Sequence, residues 1–343
     1  MDNSSMDNLF DEAVGRLFAD ISEKYGNSLD LSSADYEAIW SEIAASGFLD
    51  VMLTEEKGGA GLSLKEAGNL FKLEGYFNLP VPFASTLLAR GWLDNNRLTV
   101  PDGSIAIATM GVKVSEGQGR IVINKLPFGH QAASFLVLAN QRCYLLTQEK
   151  AVVNEVYHAG LFASVSWRLE ETIELDVSAR ALDELLNLAS LATLLPSVGA
   201  MEKIFEMTLE YANQRQQFGR PLSKFQAIQH QISVLAEHVW AARMAAQIAC
   251  NSNNNRSDPN LLAIAKYQVS FVSDQVADIA HAVHGAIGIT EEYALHFYTR
   301  RVREFRSEAG TQSCWAKKLG HHVLGQEGET VFSMLTGELC PGW

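Results

Sequence analysis

The sequence predicts a mainly α protein with a central β domain. Three observations carry that reading. Apolar residues recur at helical spacing over the first ninety or so residues. The texture then changes to short apolar runs separated by Gly, Asn and Asp, from about Leu98 to Asp176. From Ala181 onward long apolar-rich stretches return to the helical period. We divide the chain into an N-terminal helical domain at 1–97, a shortened middle β domain at 98–178 and a C-terminal helical bundle at 179–343. With 343 residues there is core enough for two or three such units.

Leu9, Phe10, Val14, Leu17, Phe18 and Ile21 lie on one helical face. Ser32 or Ser33 is placed to cap a second helix whose face carries Tyr36, Ile39, Trp40 and Ile43. A short apolar element then enters the glycine loop Gly58-Gly59-Ala60-Gly61, and Ser63 can cap a helix from Leu64. No Gly-Lys-Ser/Thr follows the loop, so it is not a Walker phosphate cradle. Strands are expected around Ser104–Ala108, Arg120–Ile123, Ser134–Ala139 and Cys143–Leu146. Helices are expected at Ala181–Gln217 with a break at Pro196, at Phe225–Asn251, at Leu261–Val283 and at Thr290–Arg306. Four antiparallel helices on short connections make a bundle.

Composition narrows the function classes. Hydrophobic residues make up 47% and charged residues 20%, ordinary for a globular protein. A net charge of -13 argues against a nucleic-acid binder, which needs clustered Lys and Arg. Cys143, Cys250, Cys314 and Cys340 show no metal or redox spacing, which fits a reducing cytoplasm. We expect Cys314 to be a buried or half-buried thiol. The acidic amphipathic start lacks the pattern of a signal peptide, and no transmembrane span is expected. His281, His321 and His322 lack metal-ligand spacing with acids, so no metal is expected.

One late stretch, His284 to Trp315, concentrates chemistry-bearing residues. A glycine turn opens it. Thr290 reads as an N-cap, with Glu291 and Glu292 in the first turn. Arg300, Arg301, Arg303 and Arg306 read as an exposed basic helix face. The helix should end at Ser307–Thr311, leaving Glu308 displayed where a helix gives way to a turn.

This stretch, HGAIGITEEYALHFYTRRVREFRSEAGT, resembles the active-site segment of the acyl-CoA dehydrogenases, often HGGIGYTEEYPLERFYRDARxxxIxEGT. Without a gap, Glu308 falls on that family's catalytic glutamate. Upstream, Arg215-Gln216-Gln217-Phe218-Gly219-Arg220-Pro221-Leu222 and Phe225-Gln226-Ala227-Ile228-Gln229-His230 are similar to its flavin-contacting segment. The loop before Leu62 is similar to its PEEYGGAGL loop.

The resemblance implies an N-terminal helical domain, a small β-barrel domain and a C-terminal four-helix bundle. It implies FAD-dependent conversion of an acyl-CoA thioester to the 2-enoyl-CoA. Glu308 would take the α proton while flavin N5 accepts hydride from the β carbon. The thioester oxygen would meet a ribityl hydroxyl and the Glu308 backbone N–H. Arg215 would fork onto the pyrophosphate, Phe218 would pack on the cofactor and Gln226 would bond its adenosine half. In the family these three come from a neighbouring subunit, so a homo- or hetero-oligomer is implied, a dimer or tetramer. Gly285 and Gly288 would let backbone approach the pyrophosphate, and Thr311 would reach the flavin. An electron-transferring flavoprotein is the implied electron acceptor.

The chain departs from the family at several points. No Thr-Glu-Pro segment with a following Gly/Ser-rich loop stands between Thr109 and Phe128. Ala282 and Ala286 replace a usual glutamine and glycine. Ala309-Gly310-Thr311 is one residue longer than the usual Gly-Thr. Some members place the base on an earlier helix, near Ala189, but no Asp or Glu lies between Leu185 and Met201. Glu304, one helical turn before Glu308, is the nearest substitute. Two other readings stay open: a partner-dependent or non-catalytic subunit of a heteromeric dehydrogenase, and a helical interaction module without cofactor.

Overall fold

The computed structural model of the chain describes residues 3–26, 31–157, 160–252 and 256–325. Cys340 and the side chain of Leu9 lie outside what is described. Four helices open the chain: α1 (Asn3–Tyr25), α2 (Ser33–Ala45), α3 (Leu64–Tyr76) and α4 (Phe83–Asn95). The Ser32 side chain caps α2 by accepting from Asp35 N–H. Ser63 and Glu66 close a capping box on α3, two orphan donors satisfied at once. Phe18 of α1 meets Phe83 of α4 edge-on at 4.9 Å, which fixes how these helices pack.

Eight strands follow: β1 (Ile105–Ala108), β2 (Val112–Ser115), β3 (Arg120–Pro127), β4 (Ser134–Ala139), β5 (Arg142–Thr147), β6 (Val152–Tyr157), β7 (Phe162–Arg168) and β8 (Ile173–Leu175). They form two four-stranded sheets, ordered β1-β4-β5-β8 and β2-β3-β7-β6. Phe135, Leu126, Phe162 and Trp167 fill a common core. Only β1, β3, β4 and β5 were legible as apolar runs. Most of β6 is exposed, so no buried face marked it.

The helical half comprises α5 (Ala179–Gln214), a short hairpin of β9 (Gln216–Gln217) with β10 (Arg220–Pro221), α6 (Gln226–Ala249), α7 (Pro259–His284), α8 (Leu295–Phe305) and α9 (Gln312–Gly325). Pro196 does not interrupt α5. Buried Leu194, Leu195 and Val198 hold that turn in place, and the Ser197 hydroxyl bonds the Thr193 carbonyl. By length and composition α5 could cross a bilayer, but 78% of its most apolar window is buried inside the protein, as in a core helix.

Thr290 is not an N-cap. Residues Gly285–Ile289 form a 3₁₀ turn, the Thr290 hydroxyl donates to the Ile287 carbonyl, and α8 begins only at Leu295. Nor are the four arginines one exposed face. Arg303 and Arg306 pair with Asp278 and Asp274 at the surface. Arg301 is fully buried and pairs with Glu74 of α3. It also donates to the Leu79 carbonyl, and Glu74 accepts from Ala84 N–H. That pair staples the helical half to the N-terminal helices. Cys314 is exposed on α9, contrary to expectation, while Cys143 and Cys250 are buried.

Helices α3 and α5 cross backbone to backbone. A Cβ on Gly75 would collide with the Pro196 carbonyl, and one on Gly199 with the Lys72 carbonyl. Gly199→Ala should therefore cost about 3 kcal/mol of unfolding free energy, the upper range for forced overpacking. Gly320→Ala on α9, where a Cβ meets nothing, should be neutral or slightly stabilising. Urea denaturation midpoints of the two variants check the contrast.

Candidate functional site

Helix α8 ends where the helical half meets the β sheets. Phe305, its last residue, packs on Phe162 of β7 at 5.8 Å. The chain then turns: Ala309 adopts a φ of +54° and Gly310 one of +122°. Ala309 and Gly310 are buried, and Trp315 sits where a Gly310 Cβ would go. The turn leaves Glu308 pointing inward, its side chain only 12% exposed.

Two lysines face that carboxylate. Lys125 Nζ lies 2.8 Å from Glu308 Oε1 and 3.2 Å from Glu304 Oε2. It also lies 4.2 Å from the Phe162 ring centroid. Lys266 of α7 is buried, and its ammonium donates to Thr193 Oγ1 at 3.1 Å and to the Phe305 carbonyl at 3.3 Å. It thereby caps the end of α8 with positive charge. Burial pushes the Glu308 carboxyl above its ordinary value, against the opposing pull of Lys125 and Lys266. Burial pushes Lys266 down to about 8, with Glu308 resisting.

Neither lysine was singled out from sequence. Lys266 had a usable signal, since it stands four residues after Leu262 and three before Val269 on the buried face of α7. Lys125 had none. The β3–β7 register slips between Ile123 and Leu126, and such an irregularity re-aims side chains in a way that alternation cannot reveal.

The cavity beside Glu308 is lined by Ala108, Thr109 and Met110 after β1, by Lys125 and Pro127, and by Ala189 and Thr193 of α5. It encloses about 20 Å³, room for a single water. Small-molecule pockets run from about 300 to 1,000 Å³. The Glu308 N–H, expected to meet a thioester, is taken by the Phe305 carbonyl at 3.1 Å. The room enclosed beside Glu308 in the single chain is smaller than a flavin ring or an acyl thioester occupies.

The remaining sequence-predicted residues lie elsewhere. Arg215, Phe218 and Gln226 are exposed around the β9–β10 hairpin. Phe218 is 92% exposed and holds a φ of +51°, an uncommon conformation for an aromatic residue at a solvent-facing tip. The Arg215 side chain makes no hydrogen bond or ion pair among the described residues. Gly285 is exposed and Gly288 buried in the nearby 3₁₀ turn. The two features are tied together: Tyr211 of α5 stacks on His284 at 4.5 Å and donates to its carbonyl. Thr311 is exposed, and its hydroxyl accepts from Cys314 N–H at the start of α9. His284 is structural, bonded to the Ala280 carbonyl.

Along α7, eighteen residues separate Lys266 beside Glu308 from His284 beside the glycine turn. At 1.5 Å per residue that is roughly 27 Å. Along α5 the same eighteen residues separate Thr193 from Tyr211. The carboxylate cluster and the hairpin cluster therefore lie roughly 27 Å apart along the bundle. Larger hollows lie apart from Glu308, two of them on the helical half. One of about 390 Å³ runs between α3, α5 and α6. An apolar groove of about 810 Å³ runs along α6, α7 and α9 and exposes Met244, Tyr267 and Leu324.

Lys266 yields a pH prediction. Its folded pKa lies below the unfolded value near 10.5, so between about pH 8 and 10.5 the unfolded chain binds the extra proton. Folding stability from this residue is therefore lowest below pH 8 and recovers as pH rises. Relative to Lys266→Met, the parent chain should gain stability across that window. Unfolding free energies of both proteins at pH 7, 8.5 and 10 check the sign.

Residues 179–323 match the sequence profile described as acyl-CoA dehydrogenase, C-terminal domain. Over 257 residues the chain is 27% identical to the acyl-CoA dehydrogenase IpdE2 of Mycolicibacterium smegmatis, covering 74% of this chain and 78% of that protein. It is 36% identical to IpdE2 of Mycobacterium tuberculosis over 104 residues, 30% of this chain and only 31% of that protein's length. Among solved structures, a variant of the Tcur3481–Tcur3483 steroid ACAD superposes with a TM-score of 0.81 at 22% identity, covering 94% of this chain and 99% of that one. The ChsE4–ChsE5 complex of Mycobacterium tuberculosis gives 0.76 at 20%, covering 93% and 98%. An FAD complex of PigA gives 0.73 at 18%, covering 96% and 99%. Residues 179–323 are similar to the acyl-CoA dehydrogenase C-terminal domain, and the chain as a whole shares the fold of solved acyl-CoA dehydrogenase structures.

Proposed function

We propose that this chain is a subunit of an FAD-dependent acyl-CoA dehydrogenase whose cofactor site is completed by a second subunit. The observation that carries this is the separation of the two clusters. One ligand that touches Glu308 in one chain and Arg215, Phe218 and Gln226 at once calls for two chains. The exposed Phe218 and the unpaired Arg215 suit a cofactor held largely by a neighbour, since a guanidinium forks well onto phosphate oxygens. The apolar groove on α6, α7 and α9 gives the chain a face to bury in such an assembly. The ChsE4–ChsE5 neighbour is itself a complex.

FAD supplies the oxidation when bound, and the chain's own side chains handle the proton. Glu308 is the α-proton base. Its burial raises its basicity, as a base for a weakly acidic carbon requires. The α proton passes to the carboxylate, and Lys125 and Lys266 remain as the nearby positive charges. An acyl-CoA is the substrate, and an electron-transferring flavoprotein belongs to the same proposal as acceptor. A second reading draws on the closed cavity and the Lys125 ion pair: the chain completes a partner's site and does no proton chemistry itself.

Glu308→Gln distinguishes them. Co-purified with its partner subunit, the variant should keep its flavin absorbance and lose turnover by roughly a hundredfold to ten-thousandfold, the usual worth of a general base. Turnover at the parental rate would assign the chain to the second reading. Purified alone, the chain should carry little or no flavin colour; a stoichiometrically yellow single chain overturns the need for a partner.

A further inference from the structure

A carboxylate held against an ammonium group is not free to take a proton from a substrate. Lys125 comes from β3 and lines the same cavity as Glu308. Its Nζ reaches two acceptors four residues apart, Glu308 at 2.8 Å and Glu304 at 3.2 Å. Glu304 stands in the last turn of α8 and Glu308 in the non-helical turn that follows it, and both carboxylates reach the same ammonium. The Phe162 ring beneath gives the ammonium a third favourable contact. Release of Glu308 therefore does not strand a half-buried cation, because Glu304 and the ring keep it paired.

We propose that Lys125 is a positioning residue: it holds Glu308 ionised and turned onto β3, and it frees the carboxylate for an acyl substrate by shifting onto Glu304. This rests on the reading of Glu308 as the base, but its first test needs neither cofactor nor partner. The charged and titratable groups facing Glu308 are Lys125 from β3, Tyr157 from β6, Lys266 from α7 and Glu304 from α8. Thr193 from α5 adds a neutral hydroxyl. Of the cations, Lys125 alone touches the carboxylate; Lys266 is committed to Thr193 and the Phe305 carbonyl.

The two substitutions have opposite signs. Lys125→Met removes the cation, so Glu308 must hold its proton to higher pH. Glu304→Gln removes a neighbouring negative charge and a competitor for Lys125, so Glu308 must lose its proton at lower pH. Lys125→Arg should restore the parental value. The readout is carbon-13 NMR titration of side-chain carboxyls in the full chain labelled at glutamate, with the Glu308 resonance assigned by its loss in Glu308→Gln. A rise of a pH unit or more in Lys125→Met, with a fall in Glu304→Gln, supports the proposal. An unchanged Glu308 titration in Lys125→Met, or shifts of the same sign in both variants, overturns it. In the assembled enzyme the acid limb of the turnover profile should move with the titration. If Glu308→Gln leaves turnover intact while the titrations behave as stated, the functional reading fails and the electrostatic one stands.

Discussion

A buried guanidinium and a buried carboxylate fix the geometry of the candidate site. Arg301 and Glu74 join α8 to α3 with no solvent to screen them. Such a pair adds little net stability over apolar residues of similar size, but removing one partner leaves an uncompensated charge in the core. Its value is directional. Arg301 also reaches the Leu79 carbonyl, and Glu74 also holds the Ala84 N–H, so the pair ties together α3, the loop into α4, and α8. With α8 pinned in its middle and Phe305 seated on the β core, the turn carrying Glu308 has one place to go. Every later contact of Glu308, with Lys125 and across to Lys266, depends on that placement.

Much of this was legible in the residues. Hydrophobic period located the N-terminal helices and the long helices of the bundle, because each buries one face against a common core. Ser32 and Ser63 marked helix starts because a hydroxyl there satisfies donors that the helix leaves open. Glu308 was found by position in a motif, and the structure brings it to an interior junction. What was not legible was set by tertiary contact. Arg301 reads as one of four surface arginines until Glu74 arrives from 227 positions away in sequence. Thr290 looks like a cap, but the stack of Tyr211, His284 and Tyr293 holds that segment as a 3₁₀ turn and delays α8. Lys125 depends on a slip of strand register, which no local pattern encodes.

Two clusters along the bundle divide the chemistry. In one are two carboxylates, two lysines and a cavity for one water. In the other are a solvent-facing aromatic ring, an uncommitted guanidinium and a glycine turn. A surface Phe at positive φ carries both backbone strain and unburied apolar area, and such features persist where a ligand or a neighbour repays them.

The crossing of α3 and α5 has a mechanical consequence. Gly75 and Gly199 bring the two backbones together with no side chain between them, so no rotamer change there can loosen the joint. The helical scaffold behind Glu308 behaves as a fixed anvil. The α5 wall of the cavity beside Glu308, which carries Ala189 and Thr193, is thus braced from behind by α3.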